Sequence, residues 1–273
     1  MDQVDWAAVE LAAGELRLWL FRGDAEGAAI TRPDNGDPAA SLAAMLIPRL
    51  APGAAIDVIA AGWPGTAPAR VPCPPPRPAD AVVLDPRLTL HRLPGLMQDR
   101  PADLIGVQTT RIAGHLARHP EFDGVLCLPG GQSAWAHVSA GEIVSFRGFL
   151  TGELLSALTA STPDEESAGF AEAVQDTLSR PAGLAGELSS LRARLAMEEM
   201  TPPAAYARMA GLLIGAELAA ARPWWLGQSV TVIGAGWLAD RYAEALVTQG
   251  VNPARADPTR ALLDGFRAAR RGL

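Results

Sequence analysis

Whatever this chain does with an anion, it does without an ammonium group. All 23 of its basic residues are Arg and none is Lys, so a Schiff base or an amine base is excluded. Negative charge must be held by guanidinium groups, hydroxyls or backbone amides. The residues best arranged for backbone recognition are Gly130, Gly131, Gln132 and Ser133, within Leu128-Pro129-Gly130-Gly131-Gln132-Ser133-Ala134-Trp135. Two glycines leave the main chain uncovered, and an amide and a hydroxyl follow. Further on, Thr151-Gly152-Glu153 opens a helix and supplies a carboxylate.

Other chemistry-bearing residues carry less. His91, His115, His119 and His137 are scattered. Only His115 and His119 share a helical face, and the Glu of a zinc-protease motif is missing, so both are expected on a helix surface. Cys73 and Cys127 are too few for a disulfide framework or a zinc site and read as small apolar residues. Gly234-Ala235-Gly236 lies between a strand and a helix, but Ala239 stands where a dinucleotide fingerprint needs its third glycine. Asp103 reads as a helix cap.

The elements that must position these residues are legible as periodicities. Ala8–Leu11 and Leu16–Leu20 alternate around Ala12-Ala13-Gly14 as a β-hairpin. Gly124–Leu128, Ala134–Val138 and Ile143–Phe146 read as three successive strands, the first two joined by the Pro-Gly-Gly turn. Further strands are expected at 56–60, 89–93 and 230–234. Helices are expected at 41–50, 103–119, 152–160, 165–179, 186–197, 203–221, 237–250 and 257–270. Residues 65–78 are Pro-rich and read as a surface loop. A hairpin opening each half, with helices after it, describes two distantly related α/β domains facing a cleft. We place them at residues 1–105 and 106–273, with the last helix free to pack back on the first.

Composition narrows the classes. The chain is 49% hydrophobic and long enough for a sizeable core, and its net charge of −7 argues against sequence-independent nucleic-acid binding. Neither a signal peptide nor a membrane-length apolar run is apparent, which points to a cytoplasmic protein without a membrane partner.

The pattern Leu-Pro-Gly-x-x-Ser-x-Trp followed by Phe146-Arg147-Gly148-Phe149-Leu150-Thr151-Gly152-Glu153-Leu154 resembles the second domain of 2-dehydro-3-deoxygalactonokinases. These are sugar-acid kinases on the two-domain actin-like ATPase fold. The resemblance runs from Ala8 to Leu263 and includes Gly211–Leu218 and Val232–Leu238 followed by Tyr242. It implies phosphorylation of a 2-keto-3-deoxy sugar acid in galactonate catabolism, with ATP and Mg²⁺, and leaves room for a homodimer. It assigns phosphate and nucleotide contacts to Gly14, Arg17, Gly130, Gly131, Gln132, Ser133, Gly234, Ala235 and Gly236. The last three serve either the nucleotide base or close packing. It assigns substrate contacts to Gly106, Gln108, Thr109 and Trp135. Glu10 takes the position of an acid that holds Mg²⁺ through water, and Glu10 and Glu153 are the catalytic candidates.

The chain also departs from the family pattern. Ala12 and Ala13 replace a Gly and a Thr, Glu15 puts a carboxylate beside the first turn, and Ala134 replaces a Lys. Ile105, Val107 and Gln108 stand where the family has Arg, Glu and Glu. These losses define the alternative reading, a catalytically impaired homologue that binds a ligand or regulates.

Overall fold

The computed structural model describes residues 4–159 and 169–273. The chain forms two compact units, one of Met1–Phe122, Gly141–Ile143 and Thr259–Leu273, the other of Asp123–Ala140 and Val144–Pro258.

The first unit opens with β1 (Trp6–Ala12), β2 (Glu15–Arg22), β3 (Ala25–Glu26) and β4 (Ile30–Pro33), then α1 (Pro38–Leu46). Ala13 (φ 51) and Gly14 (φ 75) both lie in the left-handed region. That backbone form lets a two-residue turn match the twist of paired strands. Helix α1 starts at Pro38 because Asp37 accepts from the Ala40 amide at 3.0 Å. Then come β5 (Ile56–Ala61), β6 (Ala69–Arg70), β7 (Asp80–Asp85), β8 (Leu88–Arg92), β9 (Leu96–Asp99), β10 (Ala102–Ile105) and α2 (Gln108–Arg118). The main sheet runs β3-β2-β1-β5-β8-β7, with β4 beside β2, and β1, β5 and β8 are mutually parallel.

Both faces of this sheet are covered, which is why β1 is buried almost throughout instead of alternating. Val9, Leu16, Leu18 and Val58 pack on Leu42, Met45 and Leu46 of α1. Trp6, Trp19, Phe21 and Ile59 pack on Leu262, Leu263 and Phe266 of the closing helix. Helix α2 meets that helix so closely that a methyl at Gly114 would lie 2.5 Å from the Gly265 amide nitrogen. This packing puts residues 106–122 and the last helix into the first unit.

The second unit contains β11 (Gly124–Leu128), β12 (Ser133–Ser139), β13 (Glu142–Phe149), α3 (Thr151–Leu158), α4 (Phe170–Ser179), α5 (Leu184–Ala196), α6 (Pro202–Ala220), α7 (Arg222–Trp225), β14 (Val230–Ile233), α8 (Gly236–Val247) and β15 (Ala254–Ala256). The closing helix is α9 (Pro258–Arg270). Its sheet order is β13-β12-β11-β14-β15. Around each unit's first strand the pattern is the same: an antiparallel hairpin partner on one side and two parallel strands on the other. Helices α4 and α6 cross at backbone contact, since a methyl at Gly211 would lie 2.5 Å from Phe170 O.

Several expectations need correction. The helix expected from Asp103 begins at Gln108, and Asp103 lies in β10, paired with β9. There Leu104 is 56% exposed and Ile105 fully buried, an alternation of period two that reads as helical spacing when only Leu104 and Val107 are counted. Strands β4, β7, β9 and β15 lie where none was expected. His115 is buried, not on the surface, and packs against His119 and Phe122. The start of the helix expected over 165–179 lies partly outside the described residues.

Candidate functional site

In the second unit β11 ends at Leu128 and β12 begins at Ser133, so Pro129–Gln132 form the connecting turn. The start of α3 sits against it. The Glu153 amide donates to Gly131 O at 2.9 Å. A methyl at Gly152 would collide with Gly130 O and lie 2.9 Å from its carbonyl carbon. Glycine at 152 is therefore required by close approach, not by a turn. On the other side a methyl at Gly234 would lie 3.4 Å from Pro129 Cδ and 2.8 Å from Ala239 Cβ. The turn after β14 thus packs on the same loop.

Helices α3 and α8 both begin without a side-chain cap, at Leu150 and Ala235. Neither cap residue makes a side-chain bond to the amides that follow, and uncapped helix starts suit phosphate oxygens. Gly131, Ala235 and Gly236 are exposed, while Gly130, Gln132 and Gly234 are half-buried. Glu153 is exposed, and its Cγ would lie 3.5 Å from a methyl at Gly131. This puts its carboxylate arm beside the turn.

Two assigned residues do not face this surface. Ser133 is fully buried and donates to Glu217 Oε2 at 2.8 Å. Trp135 is fully buried, and its Nε1 donates to Glu217 Oε1 at 2.7 Å. In this structure their polar atoms serve an internal carboxylate rather than the turn's surface. Thr151 and Tyr242 also donate to Glu217 Oε2, Tyr242 at 2.7 Å. Burial raises Glu217 above the usual carboxylate range, and the hydrogen bonds of Thr151, Trp135, Tyr242 and Ser133 oppose that. Burial and then the Glu217 charge push the Cys127 thiol and the Tyr242 phenol well up. Tyr242 therefore keeps its proton and donates.

In the first unit Glu10 stands directly across the hairpin from Arg17. It is 1% exposed. Arg17 Nη2 and Nε reach Glu10 Oε2 at 2.7 and 3.1 Å, and Arg111 Nη2 of α2 reaches Glu10 Oε1 at 2.6 Å. Arg17 also lies over the Trp19 ring, 5.4 Å from its centre. Oε2 is thus hydrogen-bonded to Arg17, while Oε1 faces Arg111 as an ion pair without a hydrogen bond of its own. A divalent cation there would meet two positive charges, so the Glu10 carboxylate does not fit Mg²⁺.

Gly14 tops an open, exposed turn. At the far end of β1 and β5, a methyl at Gly62 would collide with Leu11 O and lie 2.5 Å from Val107 Cγ1. The strand ends and the start of α2 therefore converge. Gly106 is exposed, and its amide donates to Gln108 Oε1 at 3.2 Å. Thr109 is buried, and its hydroxyl does not reach the surface.

Sequence reasoning missed Arg111 and Glu217. Glu217 had a visible signal, being the single acid in the apolar stretch Pro202–Ala220. Arg111 had none beyond its place one turn into α2.

Two units, each with a hairpin followed by parallel strands, and a glycine turn docked on a helix start, define the class of two-domain actin-like ATPases and sugar kinases. Fold comparison agrees. The activator of 2-hydroxyisocaproyl-CoA dehydratase from Clostridium difficile, solved with ADPNP, superposes with a TM-score of 0.55 at 11% identity, covering 98% of this chain and 96% of that one. Within the class, the sequence model of the 2-keto-3-deoxy-galactonokinase family matches residues 13–269, and the chain belongs to that family. A candidate 2-dehydro-3-deoxygalactonokinase from Sinorhizobium meliloti superposes with a TM-score of 0.87 at 28% identity, covering 98% of this chain and 96% of that one. The probable 2-dehydro-3-deoxygalactonokinase of Rhizobium meliloti (strain 1021) is 31% identical over 195 residues. Those residues are 66% of this chain and 64% of that protein, just under two thirds of its length. The Escherichia coli (strain K12) 2-dehydro-3-deoxygalactonokinase is 26% identical over 96% of both chains.

Proposed function

We propose that this chain is an ATP-dependent kinase that phosphorylates a 2-keto-3-deoxy sugar acid of the 2-dehydro-3-deoxygalactonate type in galactonate catabolism. The observation that carries this reading is the Pro129–Gln132 turn, docked at backbone contact on the start of α3, in a chain of this family. The amides of the turn and the uncapped start of α8 are assigned to phosphate oxygens, with Gly234–Gly236 beside the nucleotide. When bound, ATP supplies the γ-phosphoryl group. A new P–O bond forms to a substrate hydroxyl oxygen, the bond to the bridging oxygen breaks, and ADP leaves. The hydroxyl proton needs an acceptor, and Glu153 is the exposed carboxylate beside the turn that we assign to it. Mg²⁺ is assigned to the nucleotide and not to Glu10.

The reading carries a cytoplasmic location. No helix among the described residues is long and apolar enough to cross a membrane. A second reading, a relative that binds without transferring phosphate, is favoured by Glu15, an exposed carboxylate at the first turn, and by Ile105, which is buried where the family has Arg. The test is ADP release coupled to NADH oxidation, with ATP, Mg²⁺ and 2-keto-3-deoxy-galactonate. Turnover of order 1 s⁻¹ or faster supports the kinase. Nucleotide binding in calorimetry with no turnover supports the second reading. Glu153→Gln is expected to lower kcat on the order of 100-fold, in the range of one general base.

A further inference from the structure

Glu217 is 3% exposed, yet among the described residues no guanidinium bonds to it. Its four partners are neutral: Ser133 Oγ, Trp135 Nε1, Thr151 Oγ1 and Tyr242 OH. A buried carboxylate compensated only by neutral donors is a costly way to fill a core, and an apolar side chain of similar size would pack there more cheaply. The partners show where the carboxylate acts. Ser133 is the first residue after the glycine turn, and Trp135 follows on the same face of β12. Thr151 is the first residue of α3, whose Glu153 amide holds Gly131 O. Tyr242 lies on α8, which opens at the turn packed on Pro129.

We propose that Glu217 is the positioning residue of the phosphate turn: one carboxylate fixes the Ser133 end of the Pro129–Gln132 loop, the start of α3 and helix α8 in a single arrangement. The ligand it prepares for rests on the kinase reading above; the mechanical role does not. Charge and shape both matter. An indole N–H can only donate, so Oε1 must face Trp135. Three hydroxyls then donate to Oε2, and an amide nitrogen there would remove the charge and force them to reverse from donors to acceptors. Glu217→Gln is therefore a near-isosteric change that breaks the arrangement.

The experiment compares the unsubstituted protein with Glu217→Gln and Glu217→Asp by amide hydrogen exchange, by calorimetry with ATP and ADP, and by kinetics. In Glu217→Gln, exchange in the peptides covering 128–135 and 149–155 should rise about tenfold, the weight of roughly one charge-assisted hydrogen bond. Exchange in β1 and β5 should stay unchanged. The Kd for ATP should rise by about the same factor, while KM for the sugar acid stays within about twofold. The Asp variant, which keeps the charge, should recover part of the protection. Unchanged exchange in the turn overturns the proposal, and so does a rise that is uniform across the second unit, since that marks a core residue only. If Glu217→Gln does not fold, Ser133→Ala and Thr151→Val each delete one donor and are read against the same criteria. If the unsubstituted protein binds no nucleotide, the kinase reading fails, and the exchange data still decide whether Glu217 holds the turn.

Discussion

The contact between α3 and the glycine turn predicts that Gly152→Ala damages nucleotide use out of proportion to its size. The added methyl would lie 2.9 Å from the Gly130 carbonyl carbon and 3.0 Å from Gly131 Cα, besides colliding with Gly130 O. Carbon atoms rest about 3.5–4.0 Å apart, so the helix start and the turn must separate by roughly 0.5–1 Å. Backbone sits on both sides, and no flexible side chain can give way. Overpacking of this kind costs about 1–3 kcal/mol. Stretching the Glu153 amide bond to Gly131 O adds on the order of 1 kcal/mol. At about 2–4 °C per kcal/mol for a chain of this size, Tm should fall by roughly 4–15 °C. A displacement near 1 Å costs on the order of 100-fold in rate when it misplaces reacting groups. The assay is the coupled measurement of ADP release with ATP varied, alongside a thermal melt. Gly131→Ala is the internal control. Its methyl would meet Glu153 Cγ at 3.5 Å, an ordinary contact, and its stability should stay within about 0.5 kcal/mol of the parent. If Gly152→Ala matches the parent in Tm and in KM for ATP, or if the two variants melt alike, the close-approach argument is wrong.

Three further outcomes are expected. Arg111→Ala leaves buried Glu10 with Arg17 alone and should cost about 1–3 kcal/mol in urea unfolding, with much of it regained in an Arg111→Met, Glu10→Met double variant. A loss below about 0.5 kcal/mol would count against the ion cluster. Burial, and secondly the neighbouring His119, lower His115 to about 4 from an ordinary 6.5, so the folded protein holds it neutral. The unfolded chain then binds the extra proton, and stability should be level above about pH 6.5 and fall by about 2–3 kcal/mol on the way to pH 4. Urea titrations of His115→Gln should show that slope reduced. Gly265→Ala should lower stability by about 3 kcal/mol, because its methyl would lie 2.9 Å from Thr110 Cγ2 and collide with Thr110 O, wedging α9 off α2. A melt within 2 °C of the parent would refute that packing.

Local signals settled a good deal of this protein in advance. The hairpin around Ala13-Gly14, the Pro129–Gln132 turn and the helix from Thr151 are short-range consequences of turn chemistry and periodicity, and the quoted motifs led to the family. Where period two and period 3.6 overlap over a few residues, as at Ala102–Ile105, the pairing of β10 with β9 decided. The roles of the polar residues were settled only in three dimensions. Ser133 and Trp135 read as ligand contacts from their place near the turn, whereas in the fold they donate hydrogen bonds to Glu217, 84 and 82 residues away. Glu10 read as a metal residue from its position, whereas the fold sets its carboxylate between Arg17 and Arg111. A residue's type and turn are written in its neighbours in sequence, because backbone conformation is local. Its hydrogen-bond partner is whatever the packed core brings within about 3 Å, and that depends on how distant helices cross.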